Sequence, residues 1–156
     1  DASKAEYYTK KNERRRLAIN NVLWNEEAGM WFDFSLTQNR SRKNFYVSNI
    51  FPLFAGCGHQ DDNLSKHQLS AVTSYIKDNK LEFSGGIPTS LHHTGQQWDF
   101  PNAWPPLQHV WIVGLANAAT PSLTNIAFTN AQKWVRSVYL GWERTRVIFE
   151  KNVKNC

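Results

Sequence analysis

From Leu107 to Ala119 the chain carries no Asp, Glu, Lys or Arg, and the stretch is entered through Pro105-Pro106. Proline suits the first turn of a helix, where its missing N–H would have no partner. Leu107, Val110, Trp111, Gly114, Leu115 and Ala118 then recur at three- and four-residue steps. A helix this poor in charge on every side is expected to be buried. It is shorter than the roughly 18 residues that span a bilayer, so its cover must come from other protein elements. Thr120-Pro121 next caps and starts a further helix through Leu123, Ala127, Trp134 and Val138, with Lys133 and Arg136 on its wet side. The pattern predicts an all-α fold of helix pairs, one member buried and the other half-wet.

Upstream, the chain from Ala2 to Leu23 has no Gly or Pro, and Ala5, Tyr8, Ile19, Val22 and Leu23 recur with helical spacing, which predicts an amphipathic helix. Asn25 and Gly29 then break it, and the flanking aromatics predict a short hairpin between helices across Leu23 to Phe34. Ser65-Lys66-His67-Gln68 has the pattern of a capping box, which predicts a helix from about Ser65 to Lys77 with Leu69, Val72 and Ile76 on one face. Leu81 to Phe100 contains Gly85, Gly86, Pro88 and Gly95 and no sustained period, so it reads as a long loop of the kind that carries function.

With 41% hydrophobic and 20% charged residues in 156, the chain makes one domain, residues 1–156, and is neither disordered nor collagen-like. The net charge of +5 comes from one cluster, Lys10, Lys11, Arg14, Arg15 and Arg16. No aromatic platform or Gly-rich loop accompanies it, so a solvated helix face is expected and a nucleic-acid partner is not. Cys57 and Cys156 have no metal or framework spacing. Asn39-Arg40-Ser41 and Asn63-Leu64-Ser65 are glycosylation triplets and tilt the reading toward export. The start, Asp-Ala-Ser-Lys, lacks Met and any signal pattern, which reads as an internal piece.

The densest chemistry is Gln96-Gln97-Trp98-Asp99-Phe100-Pro101-Asn102-Ala103-Trp104-Pro105-Pro106-Leu107-Gln108. Amides and a carboxylate alternate with two indoles on a proline-stiffened segment. Sugars suit that mixture, with flat faces for their C–H groups and polar atoms at the rim for hydroxyls. From composition alone an equal alternative stands: the Trp residues are core, and Asp99 caps the following helix. His92-His93 lack the spacing and carboxylates of a metal site, and Asp61-Asp62-Asn63 reads as a solvated turn rather than a calcium loop.

Residues Gln97 to Pro106 resemble the second signature of the trehalase family, Gln-Trp-Asp-x-Pro-x-small-Trp-small-Pro, without a mismatch. Leu23-Trp24-Asn25 with Gly29, Phe51-Pro52-Leu53, Gly85-Gly86-Ile87-Pro88-Thr89-Ser90 and Phe149-Glu150-Lys151 are similar to trehalase elements in the same order, and Pro-Pro-Leu-Gln-His is nearest the animal enzymes. The resemblance implies part of an (α/α)6 toroid of helix pairs that hydrolyses α,α-trehalose to two glucoses with inversion, using no metal or other cofactor. An inverting glycosidase needs an acid and a base about 6.5–9.5 Å apart.

The resemblance places the family's acid, an Asp, before residue 1, and its base, a Glu in a Gly-rich stretch, after residue 156. It therefore assigns no catalytic residue within the chain. Trp98, Asp99, Asn102, Trp104 and Gln97 are the expected substrate-binding residues, part of a pocket wall for trehalose, and the chain alone is expected to be inactive. The parent enzyme is expected to be secreted or held at the cell surface. The different-class alternative is a non-catalytic carbohydrate-binding or truncated product.

Overall fold

The computed structural model describes residues 1–153; Cys156 lies outside them. The chain opens with α1, Ala2–Ala18, capped by the Asp1 carboxylate and continued by a π-turn over Ile19–Leu23. The expected helix is present, but its amphipathic packing is not. No residue of α1 is buried, Tyr8 is 67% exposed, and Val22 is exposed as well. Only Ile19 and Leu23 of the periodic residues reach the core, because the charges of the basic cluster occupy the remaining faces of α1.

The hairpin forms as β1 (Trp24–Asn25) against β2 (Met30–Trp31), with Trp24 opposite Trp31. A second hairpin, unanticipated, pairs β3 (Phe34–Ser35) with β4 (Arg40–Ser41). Met30, Trp31 and Phe32 plunge into the core, where Phe45, Val47 and Ile50 join them. A 3-10 turn over Val47–Ile50 leads into α2, the short helix Phe51–Phe54.

The next helix, α3, spans Asp62–Asp78 and starts three residues before the expected Ser65. The capping box does not form. The Asp61 carboxylate takes the free N–H groups of Asn63 and Leu64 at 3.0 Å each, and an ionised acceptor at a helix start is favoured by the dipole as well as the bonds. Gln68 turns inward instead, accepting from His59 N at 3.2 Å and donating to Asn20 Oδ1 at 3.0 Å. Val72 and Ile76 are buried as expected, while Leu69 is half-buried against the core.

Helix α4, Pro105–Asn117, buries Gln108, Val110, Trp111, Gly114 and Leu115, but Ala116 and Asn117 are exposed and Ile112 and Val113 half-buried. Burial on every side is therefore not seen; one flank is open among the described residues. Gly114 permits close approach to the 3-10 turn, for a Cβ there would sit 2.7 Å from Ile50 Cγ2. Thr120 Oγ1 accepts from Leu123 N and starts α5, Pro121–Thr145, which packs along α4. Helix α4 thus lies between α2 and α5, the pairing expected. The chain closes with β6, Asn152–Val153, antiparallel to β5, Asn102–Ala103.

Candidate functional site

Residues 79–101 run between α3 and β5 without a helix or strand, yet the loop is fastened at three places. At its start, the fully buried Gln108 of α4 reaches across to Ile87, accepting from Ile87 N at 2.8 Å and donating to Ile87 O at 2.6 Å. Gly86, at φ 107°, leaves the room this requires. A Cβ on it would lie 2.6 Å from Gln108 Oε1 and 2.7 Å from Trp134 Cε3. Next, Thr89 O accepts from Val47 N at 3.0 Å and Thr89 N donates to Asn102 O at 3.1 Å, so Ser90 stands beside Tyr46. Finally, Phe100 N donates to His92 O at 3.0 Å and closes the loop on itself.

Inside this frame the Asp99 carboxylate is held by two hydroxyls. Ser90 Oγ donates to Oδ1 at 2.8 Å, and Thr94 Oγ1 donates to Oδ2. Those hydroxyls are themselves fixed, since Ser90 Oγ accepts from His92 N and Thr94 Oγ1 accepts from Gln96 N, each at 3.2 Å. The Thr94 and Ser90 bonds hold the carboxyl below its ordinary range, with a smaller contribution from His92; desolvation opposes them. Asp99 does not cap α4. The N-cap residue of that helix is Trp104, with no side-chain bond. The alternative in which Asp99 serves the helix start is therefore set aside by geometry.

The two indoles stack, with ring centroids 3.9 Å apart and planes 12° from parallel. Trp104 is the inner partner, 5% exposed, and its Nε1 donates to Gln97 O at 3.1 Å. The Lys151 ammonium lies 5.9 Å from the centre of the Trp104 ring. Trp98 is the outer partner, 48% exposed. Its free face is a flat apolar surface of the kind that sugar C–H groups stack upon. Asn102 is half-buried and donates from Nδ2 to Asp99 O at 3.2 Å, while the Gln97 side chain is exposed.

All five expected residues therefore gather around the end of this loop, but in different positions. Trp98 and Gln97 face outward, Asp99 and Asn102 brace the loop, and Trp104 supports Trp98 from beneath. An apolar cleft of about 270 Å³ lies elsewhere, walled by Ile19, Leu23, Trp31, Phe51 and Pro52. Sequence reasoning did not single out Thr94 or Tyr46, took Lys151 only as part of the Phe149-Glu150-Lys151 element, and did not find Gln108 as the staple of Ile87. The signal for Ser90 was present in its place at the end of the Gly-Gly-Ile-Pro-Thr-Ser run; the others become neighbours only through the path of the loop. Among the described residues no group of three or more His, Cys, Asp and Glu is placed to hold a metal ion. His92 lies against the Tyr46 ring and His93 against Phe100.

The model of the trehalase family matches residues 1–156. The human trehalase is 42% identical over 150 residues, which cover 96% of this chain and 25% of that protein. The honey-bee (Apis mellifera) enzyme is 40% identical over 96% of this chain and 24% of its own length. Trehalase of Arabidopsis thaliana is 31% identical over 97% of the chain and 25% of the relative. The chain thus spans about a quarter of the length of these relatives. Among solved structures, the neutral trehalase of Saccharomyces cerevisiae superposes with a TM-score of 0.76 at 18% identity, over 97% of this chain and 27% of the other. That likeness gives the fold, helix pairs of an α/α toroid.

Proposed function

We propose, from the premise that the chain belongs to the trehalase family, that it works as a segment of an enzyme hydrolysing α,α-trehalose to two glucoses with inversion. In this reading the segment supplies a wall of the sugar pocket, while the general acid and base come from outside residues 1–156. Trp98 presents its face to one glucose ring, and Gln97 offers an amide at the rim. Asp99 is a positioning residue: with both oxygens occupied by Ser90 and Thr94, it fixes the loop that carries Trp98. Asn102 and Trp104 hold the same loop from below. The enzyme acts outside the cell or at its surface, without metal or other cofactor.

The observation that carries this reading is the Trp98–Trp104 stack, a rigid indole pair with one face left open. What supports it is the contrast between the two rings, Trp104 buried at 5% exposure and Trp98 exposed at 48%. In such a site the near-attack geometry of the scissile bond depends on how the ring is seated. Trp98→Ala in the full-length enzyme is expected to raise KM for trehalose and lower kcat at least tenfold, and Trp98→Phe to restore part of both. Unchanged kinetic constants for Trp98→Ala would remove the loop from the pocket. The chain of 156 residues alone is expected to hydrolyse no trehalose. Turnover by clean material would make Asp99 a catalyst instead.

A further inference from the structure

Asn39 stands in the turn of the β3–β4 hairpin, well away in sequence from the indole pair and without a role in the core. Residues 36–39 are all exposed, Leu36 at 87%. Asn39 has φ 49°, the left-handed conformation that asparagine tolerates better than other residues with a side chain. The hairpin pairs Phe34 with Ser41 and Ser35 with Arg40, and Arg42 N donates to Asp33 O at 2.7 Å at its base. Such a short ladder opens at little cost, and none of residues 34–41 belongs to the buried core.

The second triplet is placed differently. Asn63 lies in the first turn of the 17-residue α3, its N–H bonded to the Asp61 carboxylate, and Ser65 N donates to Asp61 O. Bringing Asn63 and Ser65 together in a bent conformation would require the start of that helix to unwind and its cap to be lost.

We propose that Asn39, and not Asn63, is a site of N-linked glycosylation. The co-substrate is an oligosaccharide carried on a lipid diphosphate. In the transfer, Asn39 Nδ2 forms a bond to the anomeric carbon while the bond from that carbon to the diphosphate oxygen breaks. The electron pair leaves with the lipid diphosphate, and the proton lost from Nδ2 passes to a base of the transferase. Ser41, two residues on, supplies the hydroxyl by which the triplet is recognised. Once attached, the sugar projects into solvent and its apolar C–H faces have Leu36 to lie on. This inference depends on passage through the secretory route and not on the trehalose reading.

The test is peptide mass mapping of the full-length protein secreted from a eukaryotic host, before and after enzymatic removal of N-glycans. A glycan at 39 and none at 63 is expected. Asn39→Gln and Ser41→Ala should each abolish it, and Ser41→Thr should keep it. Because Ser41→Ala leaves Asn39 in its turn, loss there is not a folding defect if the protein is still secreted. A secreted protein bare at 39, or one carrying a glycan at 63, overturns the proposal.

Discussion

The staple between Gln108 and Ile87 sets a measurable free energy on the ordering of the loop over residues 79–101. Gln108→Met keeps a side chain of similar length but removes both polar atoms. Ile87 N and Ile87 O then stand unpaired at a residue with no exposure, having lost bonds of 2.8 and 2.6 Å. Stranding a buried backbone group costs about 1–3 kcal/mol, so two of them cost about 4 kcal/mol. The native loop can escape that cost only by letting water in, which is local opening. About 4 kcal/mol corresponds to roughly a thousandfold rise in the opening constant. Hydrogen exchange on the full-length protein reads it directly: the Ile87 amide, and amides of residues 86–90 with it, should exchange about a thousandfold faster, while the α5 amides stay protected. Gln108→Glu is the informative control. It keeps an acceptor for Ile87 N but sets a carboxylate against Ile87 O, so it should be no milder than Gln108→Met. If the Ile87 amide of Gln108→Met stays as protected as in the parent, the loop is held by something other than this staple, and the argument fails.

Gly86→Ala should open the same loop and lower the melting temperature, since the new Cβ meets both Gln108 and Trp134 at a positive φ; a melting curve decides. Trp104→Ala should cost about 3–5 kcal/mol in chemical denaturation and Trp98→Ala far less, because the first is buried and the second half-exposed. Asp99→Asn should impair turnover and lower the melting temperature by a small, measurable amount at neutral pH. The folded carboxyl is held below its ordinary value by Thr94 and Ser90, so its contribution is complete above that ordinary value and is lost as pH falls through the lowered one. Acid titrations of parent and variant should therefore converge only in strong acid, and a difference that grew on acidification would refute the sign. The chain expressed alone should bind a hydrophobic dye, given the exposed Phe128, Val135, Tyr139 and Trp142 along α5; a soluble monomer with a cooperative melt and no dye binding would count against this.

Local signals in the sequence were legible where the structure obeys them locally. Pro105 and Thr120-Pro121 open helices as their chemistry requires, and the Asn25 to Gly29 turn joins two strands. The Ser65 box misled because Asp61, four residues earlier, is a stronger acceptor and captures the helix start first. Tyr8 misled because periodicity reports a face without saying whether anything covers it. At the site, the signature drew attention to five residues that the structure gathers around one loop, but it could not distinguish a brace from a surface. That Trp104 is 5% exposed and Trp98 is 48% exposed depends on β5 and the path of the loop, not on their spacing. The grip of Ser90 and Thr94 on Asp99 likewise arises only once Val47 and Gln108 have fixed the loop.

The β5–β6 pair joins Asn102 to Val153 and Ala103 to Asn152, positions about fifty residues apart, through a ladder of two pairs among the described residues. Closing so long a span costs entropy that so small a ladder returns late, after α4 and α5 have already shortened the intervening path. The strand that directly precedes Trp104 should therefore be among the last elements to order during folding. Its ordering is then coupled to a stretch of chain synthesised well after the signature itself. During translation the stacked indoles would wait, partly assembled, until residues 152 and 153 had left the ribosome.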